Sequence, residues 1–516
     1  MSSLPGGNCV RLQDASFSRF YHREGFRTRL FRTLSDFVQR ILTRSGAALY
    51  RNFSSTLKSL GLFERPFRIS PRPVVLPGID LPFLDSLGRA LLSFYRAFDR
   101  LYREPAPGLE FVRDYLDRGK PPELLSYGLA RRFKNDIPGL LRPDLLLTSE
   151  GPVLTEMDAV PGGPGLLLAI SRLYRDRGYS GMIGGGEGIL DGFASMIASR
   201  DPDPVLAIVV SDESGDYRNE MALLAADLSR GYFPAFCLHP RELRFDENGF
   251  LFLAPDGKTH RITIIYRFFE LFDLPNIPKS DLMLYFAKGG RVRITPPVKP
   301  WLEEKAGMAL WHHPALREHW SREIAPERVA LLDRLIPPTW VMDPAPVPAQ
   351  ASLLLPLVAG ERRLRDFGGL LGLTQRERRF IIKPSGFSPL AWGSRGVVVG
   401  HDLPEESWKE SVLHALESFS QGPSILQPFR QTHVFPLTGY DFSSETEREE
   451  GYRIRVCPYY FVSGKNQDEV RTGGVLVTAC PKDKKLIHGM VDAILSPAWP
   501  PSPGEDLSGS ADRMKG

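Results

Sequence analysis

The 516-residue sequence predicts an α/β (α+β) protein with more than one domain. Three observations lead to this prediction. Residues 204–240 have the character of strand, helix and strand, in the segments PVLAIVV, MALLAADLSRG and PAFCLHP. Residues 378–481 alternate strand-like runs, such as RRFIIKPSG and GGVLVTACP, with one amphipathic helix, SWKESVLHALESF. A chain of this length usually divides into units of about 100–200 residues.

Composition places the chain among soluble globular proteins. Hydrophobic residues make up 42% and charged residues 24% of the chain, which allows sizeable cores. Charges or prolines interrupt every apolar run before about 18 residues, so we expect no membrane-spanning helix. The four cysteines lack metal-binding spacing and predict free thiols in a reducing compartment. We therefore expect a cytoplasmic protein, and the sequence leaves its oligomeric state open.

The first 60 residues carry an excess of positive charge. They contain ten Arg or Lys and three Asp or Glu residues, a balance of +7 against +4 for the whole chain. A segment of this kind is able to bind RNA or a membrane surface. Its apolar residues recur at helical spacing, however, which favours a helix packed on the protein over either partner. These residues are Phe26, Leu30, Phe31, Leu34, Phe37 and Val38. We expect no nucleic-acid partner.

The spacing of apolar residues changes after residue 130. Residues 1–130 are predicted to form a mainly helical region, as in LPFLDSLGRALLSFYRAFDRLY. From residue 139, LLRPDLLLT and PVLTEMDA have the pattern of two strands in a hairpin. Residues 336–350 are rich in proline and predict a connection, and residues 497–516 have the composition of a disordered tail.

The predicted hairpin brings three carboxylates together. Glu156 and Asp158 lie two residues apart on a strand and therefore share a face. A three-residue turn at 149–151 places Asp144 opposite Glu156. Carboxylate oxygens are the ligands that magnesium prefers, and three buried carboxylates without a cation are costly. A solvent-facing acidic ladder is the alternative, but the flanking Leu145–Leu147 and the PGGPG that follows favour a half-buried metal site.

A second group of residues suits phosphate and nucleotide. A strand ends at Lys383, and a segment with Gly393, Ser394 and Gly396 leads into another strand. Glycines let backbone N–H groups approach phosphate oxygens, and a lysine supplies a point charge. An ordinary hairpin with a surface lysine explains these residues equally well. The strand SILQPF then ends near Gln427, where backbone groups are able to read an adenine edge; a turn-facing glutamine is the alternative.

In this order, the motifs resemble those of the ATP-grasp ligases, specifically the circularly permuted branch represented by glutathionylspermidine synthase. In ordinary ATP-grasp enzymes the nucleotide lysines and the glycine loop precede an Asp…Glu-x-Asn metal motif, whereas RPD and TEMDAVPGG come first in this sequence. The family pattern is R-x-D, then E-x-N twelve residues after the Asp, then P-G. The matching residues are Arg142, Asp144, Glu156, Asp158, Pro161 and Gly162, with aspartate at 158 in place of the usual asparagine.

The resemblance implies a role for each matching position. The residues that it assigns to the nucleotide are Lys305, Lys383, Gly393, Ser394, Gly396 and Gln427. The residues that it assigns to the metal are Asp144, Glu156 and Asp158. The catalytic residues that it implies are Arg142 and an arginine on the strand YRIRVCPYYF, either Arg455 or Arg453, which alternation alone does not separate.

The resemblance also implies a domain order and an activity. The metal-binding part of a circularly permuted ATP-grasp fold is expected at 139–200, a small pre-ATP-grasp α/β domain at 201–300, and the nucleotide-binding region at 301–490. The implied activity is an ATP-dependent carboxylate–amine ligase that uses ATP and Mg²⁺ and joins two small molecules through an acyl phosphate. Asp158, and the lack of an arginine soon after Gly474, leave a catalytically silent ATP-binding protein as the alternative.

Overall fold

The computed structural model describes residues 50–63, 67–347, 351–391, 393, 395–442, 444–487 and 492–501. The chain divides into two compact units, residues 1–52 and 53–516. The first unit is described only at residues 50–52, so most of the basic segment, and the helix predicted from its apolar residues 26–38, lie outside the described residues, as does Ser394. In the described ranges, no helix is both long enough and apolar enough to cross a membrane.

Strands and helices alternate along the second unit, as the sequence predicts. The strands are β1 Val74–Val75, β2 Leu140–Thr148, β3 Gly151–Asp158, β4 Leu206–Val210, β5 Ala235–Leu238, β6 Arg244–Asp246, β7 Gly249–Leu253, β8 Thr259–Arg261, β9 Ile264–Phe268, β10 Arg293–Thr295, β11 Trp340–Val341, β12 Leu357–Ala359, β13 Arg362–Leu364, β14 Phe380–Pro384, β15 Val398–Val399, β16 Ser424–Pro428, β17 Val434–Asp441, β18 Thr446–Ser463, β19 Glu469–Pro481 and β20 Ile494–Trp499. The α-helices span Leu81–Arg103, Phe111–Leu116, Pro122–Leu129, Pro164–Arg175, Gly188–Ala198, Arg218–Gly231, Ser280–Gly289, Ala306–Trp311, Arg317–Glu323, Pro326–Leu335 and Glu405–Glu417. The mixed α/β class is therefore confirmed.

The largest sheet has seven strands and joins distant parts of the chain. Its order is β1-β20-β19-β18-β2-β3, and β17 also pairs with β18. The long strand β18 pairs with β17 over its first half and with β2 over its second half, where Arg455 lies opposite Leu146. The β1–β20 pair is parallel and the other pairs are antiparallel. The sheet therefore places the predicted carboxylate hairpin directly beside the strand that carries the predicted arginines.

Helices cover both faces of this sheet, and two glycines allow them to approach closely. Tyr460 and Phe461 are consecutive residues of β18, so their side chains lie on opposite faces. The ring of Tyr460 packs against Gly88 of helix Leu81–Arg103, where an added Cβ would lie 2.7 Å from the ring. The ring of Phe461 packs against Gly192 of helix Gly188–Ala198, where the same distance is 2.2 Å. A larger residue at either glycine would push its helix off the sheet.

Two smaller sheets complete the framework of the site. The strands β10-β9-β4-β5 form a parallel sheet, and all residues of β4 and β9 are buried, as expected for a sheet covered on both faces. The strands β11-β16-β14-β15 form an antiparallel sheet. Helix Glu405–Glu417 packs on this second sheet through Trp408, which is fully buried in its core. The carboxylate hairpin, the parallel sheet and the antiparallel sheet all contribute residues to one cleft.

Most predicted elements occur where the sequence placed them, with four local differences. The apolar run HRITIIYRFF is typical of a single strand, but it forms two, β8 and β9, which belong to different sheets. The pattern of KPWLEEKAGMALW predicts a helix that opens near Trp301, but this segment begins with a 3₁₀ turn, and the α-helix starts at Ala306. The proline-rich connection contains β11, which pairs with β16. Strand β20 runs to Trp499, beyond the residue at which we expected the tail to begin, and residues 502–516 lie outside the described part.

Candidate active site

The hairpin β2–β3 pairs its charged residues as predicted, although by a different route. Asp144 lies opposite Glu156, and Arg142 lies opposite Asp158. The turn has two residues rather than three, because Thr148 lies opposite Gly151. A β-bulge at Thr155 restores the register. The Thr155 hydroxyl donates to the Asp144 carbonyl at 3.1 Å, which links the bulge to the opposite strand.

Asp144 is the buried centre of an ion-pair cluster. Its side chain lies 3.0 Å from the Nε atom of Arg142 and 3.0 Å from a terminal nitrogen of Arg455. Arg142 also lies 2.9 Å from Asp158 and donates to the Gly162 carbonyl at 3.2 Å. Burial raises the pKa of Asp144, but the two guanidinium groups outweigh it, and the pKa lies below its usual value. Asp144 is therefore ionised at neutral pH and holds both arginines in place.

Glu156 and the two predicted nucleotide lysines meet next to this cluster, on the same face of the hairpin. Lys305 lies 2.9 Å from Glu156 and donates to the Ala391 carbonyl at 2.6 Å. Lys383, on β14, donates to the Thr155 carbonyl at 3.1 Å. Burial raises the pKa of Glu156, but Lys305 outweighs it and the pKa lies below its usual value. The bulge residue, Thr155, thus presents its carbonyl to Lys383, and the next residue, Glu156, presents its carboxylate to Lys305.

Among Arg142, Lys305, Lys383 and Arg455, Lys383 alone has a lowered pKa. It is buried, and burial together with the nearby charge of Lys305 lowers its pKa to about 8, although Glu156 acts in the opposite direction. Its ammonium also donates to the side-chain carbonyl of Gln427 at 3.1 Å. A lysine in this state is close to losing its proton, and an anionic ligand beside it would restore its charge.

Gln427 lies inside the antiparallel sheet rather than at an exposed turn. Its side chain is 2% exposed, and its amide donates to the Thr339 hydroxyl at 3.0 Å. Its backbone lies opposite Ile381 in the β14–β16 pair. The Gln427 side chain therefore helps to fix the position of Lys383. The strand ends one residue later, at Pro428.

The predicted glycine loop lies between β14 and β15. Gly393 has φ = +64°, a conformation that favours glycine. At Gly396 an added Cβ would lie 2.7 Å from the Leu390 carbonyl, so the loop folds tightly at this point. Arg395 extends from it to Glu213 at 2.7 Å.

The two arginines that the sequence did not separate have different surroundings. Arg455 reaches Asp144, as described above. Arg453 donates to the carbonyl oxygens of Lys482, at 2.7 Å, and of Thr432. Arg453 therefore ties two loops together at the start of β18, and Arg455 is the arginine placed beside the carboxylates.

A cleft with an acidic lining extends from the hairpin to the parallel sheet. We refer to it as the acidic cleft and define it by Glu156, Asp158, Glu270, Glu303 and Lys305. Burial raises the pKa of Asp158, since Arg142 offsets only part of the effect, and the nearby charge of Glu156 adds to the rise. Burial also raises the pKa of Glu270 to about 8, and Glu303 contributes to the increase. The cleft therefore holds carboxyl groups poised to take up protons or cations.

Sequence reasoning missed Glu270, Glu303 and the residue that supports them. Arg267 on β9 is fully buried, pairs with Glu303 and donates to the Pro296 carbonyl at 3.4 Å. An arginine inside the apolar run IIYRFF is the sequence feature that could have pointed to this part of the site. Nothing comparable marks Glu270, which follows the strand in an ordinary turn.

The predicted metal ligands meet, but they face cations of the protein. Carboxylate oxygens suit magnesium, and Glu156 and Asp158 both line the cleft. In this arrangement each of the three predicted ligands is bonded to an arginine or a lysine. Throughout the described part of the chain, no three His, Cys, Asp or Glu side chains are placed to hold a metal ion. The carboxylate oxygens are suitable ligands for magnesium, but in this structure the same carboxylates are held in ion pairs with arginine and lysine side chains.

Comparison with known proteins identifies a related fold and no sequence family. The chain is similar to the apo structure of a glutathione synthetase-like effector from Globodera pallida, with a TM-score of 0.51 and 11% identity over 89% of this chain and 97% of that one. It is also similar to a protein assigned as a γ-glutamylcysteine synthetase from Methylobacillus flagellatus, at 11% identity over 85% and 93% of the two chains; a TM-score of 0.40 does not establish a shared fold. No protein-family profile and no curated protein sequence matches the chain.

Proposed function

We propose that this protein is an ATP-dependent carboxylate–amine ligase with a circularly permuted ATP-grasp fold. One observation carries the proposal: two lysines and two arginines from four separate segments surround the carboxylates of the hairpin β2–β3. These cations are Arg142, Lys305, Lys383 and Arg455. Ligases of this kind act by positioning substrates and neutralising charge, and require no protein nucleophile.

In the proposed reaction, a carboxylate oxygen of the first substrate attacks the γ-phosphorus of ATP. The bond from that phosphorus to the bridging oxygen of ADP breaks, and an acyl phosphate forms. The amine of the second substrate then attacks the acyl carbon, loses a proton and displaces inorganic phosphate, which leaves an amide. Both steps move negative charge between oxygens, so fixed cations are the groups that the protein needs to supply.

Lys305, Lys383 and Arg455 are the side chains that we assign to the phosphates and to the acyl phosphate. Lys383 is buried and carries a lowered pKa, so a phosphate group at its ammonium would stabilise the charged form. Arg455 is held by a buried carboxylate, which fixes its direction. We assign Arg142 to the same role, since it lies between two carboxylates at the edge of the cleft.

We assign magnesium to Glu156 and Asp158, with Asp144 behind them. When bound, the ion would neutralise charge on the ATP phosphates. Glu156 is about one-third exposed and Asp158 about one-quarter exposed, so both side chains are accessible from the cleft, whereas Asp144 is buried. Lys305 and Arg142 hold these carboxylates in the structure described here, and both cations are assigned to phosphate once nucleotide is present.

A direct assay tests the proposal. The purified protein, with magnesium and ATP, is incubated with pooled amino acids, polyamines and short peptides, and ADP and phosphate are measured. We expect ADP release that requires both a carboxylate and an amine, because the acyl phosphate consumes the first and the amide the second. ADP release that needs neither, or that needs the carboxylate but yields no amide, would contradict a ligase.

A second function, a catalytically silent ATP-binding protein, is favoured by the ion pairs around the hairpin. The three predicted metal ligands are already neutralised by cations, and Asp158 replaces the asparagine of the family pattern. Such a protein would bind ATP through Lys383 without needing metal. Saturable ATP binding in the presence of EDTA, combined with no ADP formation for any carboxylate–amine pair, would identify this function instead.

A further inference from the structure

A second charged cavity lies beside β10, the edge strand of the parallel sheet. Its volume is about 290 Å³, and it has no lining residue in common with the acidic cleft. We refer to it as the arginine pocket and define it by its polar residues. These are Arg132, Asp136, Arg200, Arg293, Thr295 and Gln467. The remaining wall is apolar; Arg200 is half-buried, and Arg132 and Arg293 are exposed at the pocket mouth.

None of the three arginines of the pocket has a carboxylate partner among the described residues, and Arg200 is held by neutral groups instead. Arg200 donates to the Met196 carbonyl at 2.7 Å, to the Val462 carbonyl at 3.2 Å and to the Gln467 side chain at 3.2 Å. No carboxylate of the described chain lies within 4.0 Å of a guanidinium nitrogen of Arg132, Arg200 or Arg293. Their side chains therefore converge without the counter-ion that arginines in the hairpin have.

Asp136 is the one acidic residue among those that line the pocket. Burial raises the pKa of its carboxyl group, and Lys299 and the pocket arginines offset this only in part. Three arginines against one aspartate leave a net charge of +2 on the lining. A ligand with two negative charges would neutralise that charge.

Thr295 provides an independent indication of a ligand. It lines the pocket and is 2% exposed, yet its hydroxyl has no hydrogen-bond partner. A buried hydroxyl without a partner destabilises a folded protein, so such groups are uncommon unless something else bonds to them. A ligand oxygen in the pocket would supply the missing partner.

We propose that the arginine pocket binds a small soluble molecule that carries two negative charges on oxygen, as a phosphate group or a dicarboxylate does. Guanidinium groups match the geometry of both anions and form charge-assisted hydrogen bonds with them. The site is separate from the proposed ligase chemistry and does not depend on it.

A longer polyanion, such as RNA, fits the surroundings less well. The neighbouring cavity contains further cations, two of which are paired with carboxylates. Arg100 lies 2.6 Å from Glu323, and Lys134 lies 2.6 Å from Glu104. These ion pairs reduce the net positive charge next to the pocket, and a volume of about 290 Å³ suits a small ligand.

Isothermal titration of the full-length protein with inorganic phosphate, and separately with succinate, tests the proposal at constant ionic strength. We expect saturable binding of at least one of the two probes, and the tighter probe identifies the class of anion. Arg293→Gln and Arg132→Gln should each weaken this binding at least about tenfold, because each removes a charged donor. The matched controls, Arg291→Gln and Arg131→Gln, remove exposed arginines that flank the pocket and should leave the affinity unchanged.

Thr295→Val distinguishes a pocket that binds a ligand from a group of residues that only supports the fold. Replacement of an unpartnered hydroxyl by a methyl group should preserve or raise thermal stability, whereas the affinity for the probe should fall several-fold. If phosphate bound only in the proposed nucleotide site, Lys383→Ala would abolish its binding and Arg293→Gln would not, which would overturn the proposal. Absence of saturable binding of both probes, or affinity confined to RNA, would overturn it as well.

Discussion

The acidic cleft and the arginine pocket hold their charges in opposite ways. Around the hairpin, each predicted metal ligand has a cation of the protein at 3.0 Å or less. In the pocket, none of the three arginines is paired with a carboxylate of the described residues, and Arg200 is held by carbonyl and amide oxygens. In the first arrangement, the predicted metal ligands are paired with cations before any ligand binds. In the second, three arginines line the pocket with one aspartate, and an anion would neutralise the excess charge.

This difference predicts different consequences of substitution in the two regions. Arginines that compensate buried carboxylates support the fold in addition to their proposed role toward a ligand, so their loss should unfold or loosen the protein. Arginines without a carboxylate contribute little to the fold, so their loss should be seen mainly in binding.

Glu156→Ala should abolish amine-dependent ADP release, to below about 1% of the parent rate, because it removes a carboxylate assigned to magnesium and the partner of Lys305. Folding should change little, since the side chain is about one-third exposed. Steady-state ADP formation and circular dichroism are the measurements. Glu150→Ala, on the exposed turn of the same hairpin, is the control, and unchanged turnover in Glu156→Ala would rule out the metal assignment.

Arg142→Met should lower the free energy of unfolding by about 3 kcal/mol, since it leaves Asp144 and Asp158 without their shared cation. Arg293→Met in the arginine pocket should change the same quantity by less than about 0.5 kcal/mol. Urea denaturation of both variants measures the contrast. Equal destabilisation by the two substitutions would show that the two regions do not differ in the way described.

ATP binding should weaken as the pH rises through the pKa of Lys383. That pKa is lowered to about 8, so the ammonium is charged below this pH and binding is then independent of pH. Above it, binding requires uptake of a proton, and the dissociation constant should rise about tenfold between pH 7.5 and 9.5. Lys383→Arg stays charged throughout and should give a flat profile. Calorimetry with a non-hydrolysable ATP analogue measures both, and parallel profiles would contradict the assignment.

Thr155→Val should have the smallest effect, a loss of about 1 kcal/mol of stability. The substitution removes the hydrogen bond from the bulge to the Asp144 carbonyl and keeps the shape of the side chain. The contact of Lys383 with the Thr155 carbonyl remains, so the affinity for ATP should be unchanged. Thermal unfolding and ATP titration test the two statements, and a large loss of affinity would show that the bulge shapes the nucleotide site directly.

The sequence was sufficient to predict the pairing of Asp144 with Glu156, although one step of the reasoning was wrong. The strand period of two fixes which side chains share a face, and that part needs no tertiary information. The turn is one residue shorter than predicted, and the bulge at Thr155 adds the missing residue. A bulge that lacks glycine has no reliable sequence pattern, so this bulge was not predicted. The predicted pairing is nevertheless correct, because the shorter turn and the additional bulge residue compensate for each other.

Other parts of the site could not be predicted, because they join segments that are far apart in the chain. Glu270 and Glu303 enter the acidic cleft from loops beside the parallel sheet, and no local pattern relates them to the hairpin. The arginine pocket gathers residues from four segments between positions 132 and 467. Gln427 lies near the end of a strand, as predicted, but the burial of its side chain between Lys383 and Thr339 was not predicted. Such positions depend on how sheets pack, which the strand patterns do not specify.

The seven-stranded sheet has a consequence for how the chain acquires its structure during synthesis. Asp144 and Arg455, which pair across this sheet, are 311 residues apart. During synthesis on the ribosome, the hairpin β2–β3 would emerge long before β18. The edge of β2 that pairs with β18 would therefore remain unpaired while most of the chain is made. Contacts of such long sequence separation slow folding, and an open strand edge invites association with other chains. We expect slow refolding, and co-translational protection of this edge by chaperones should raise the yield of native protein.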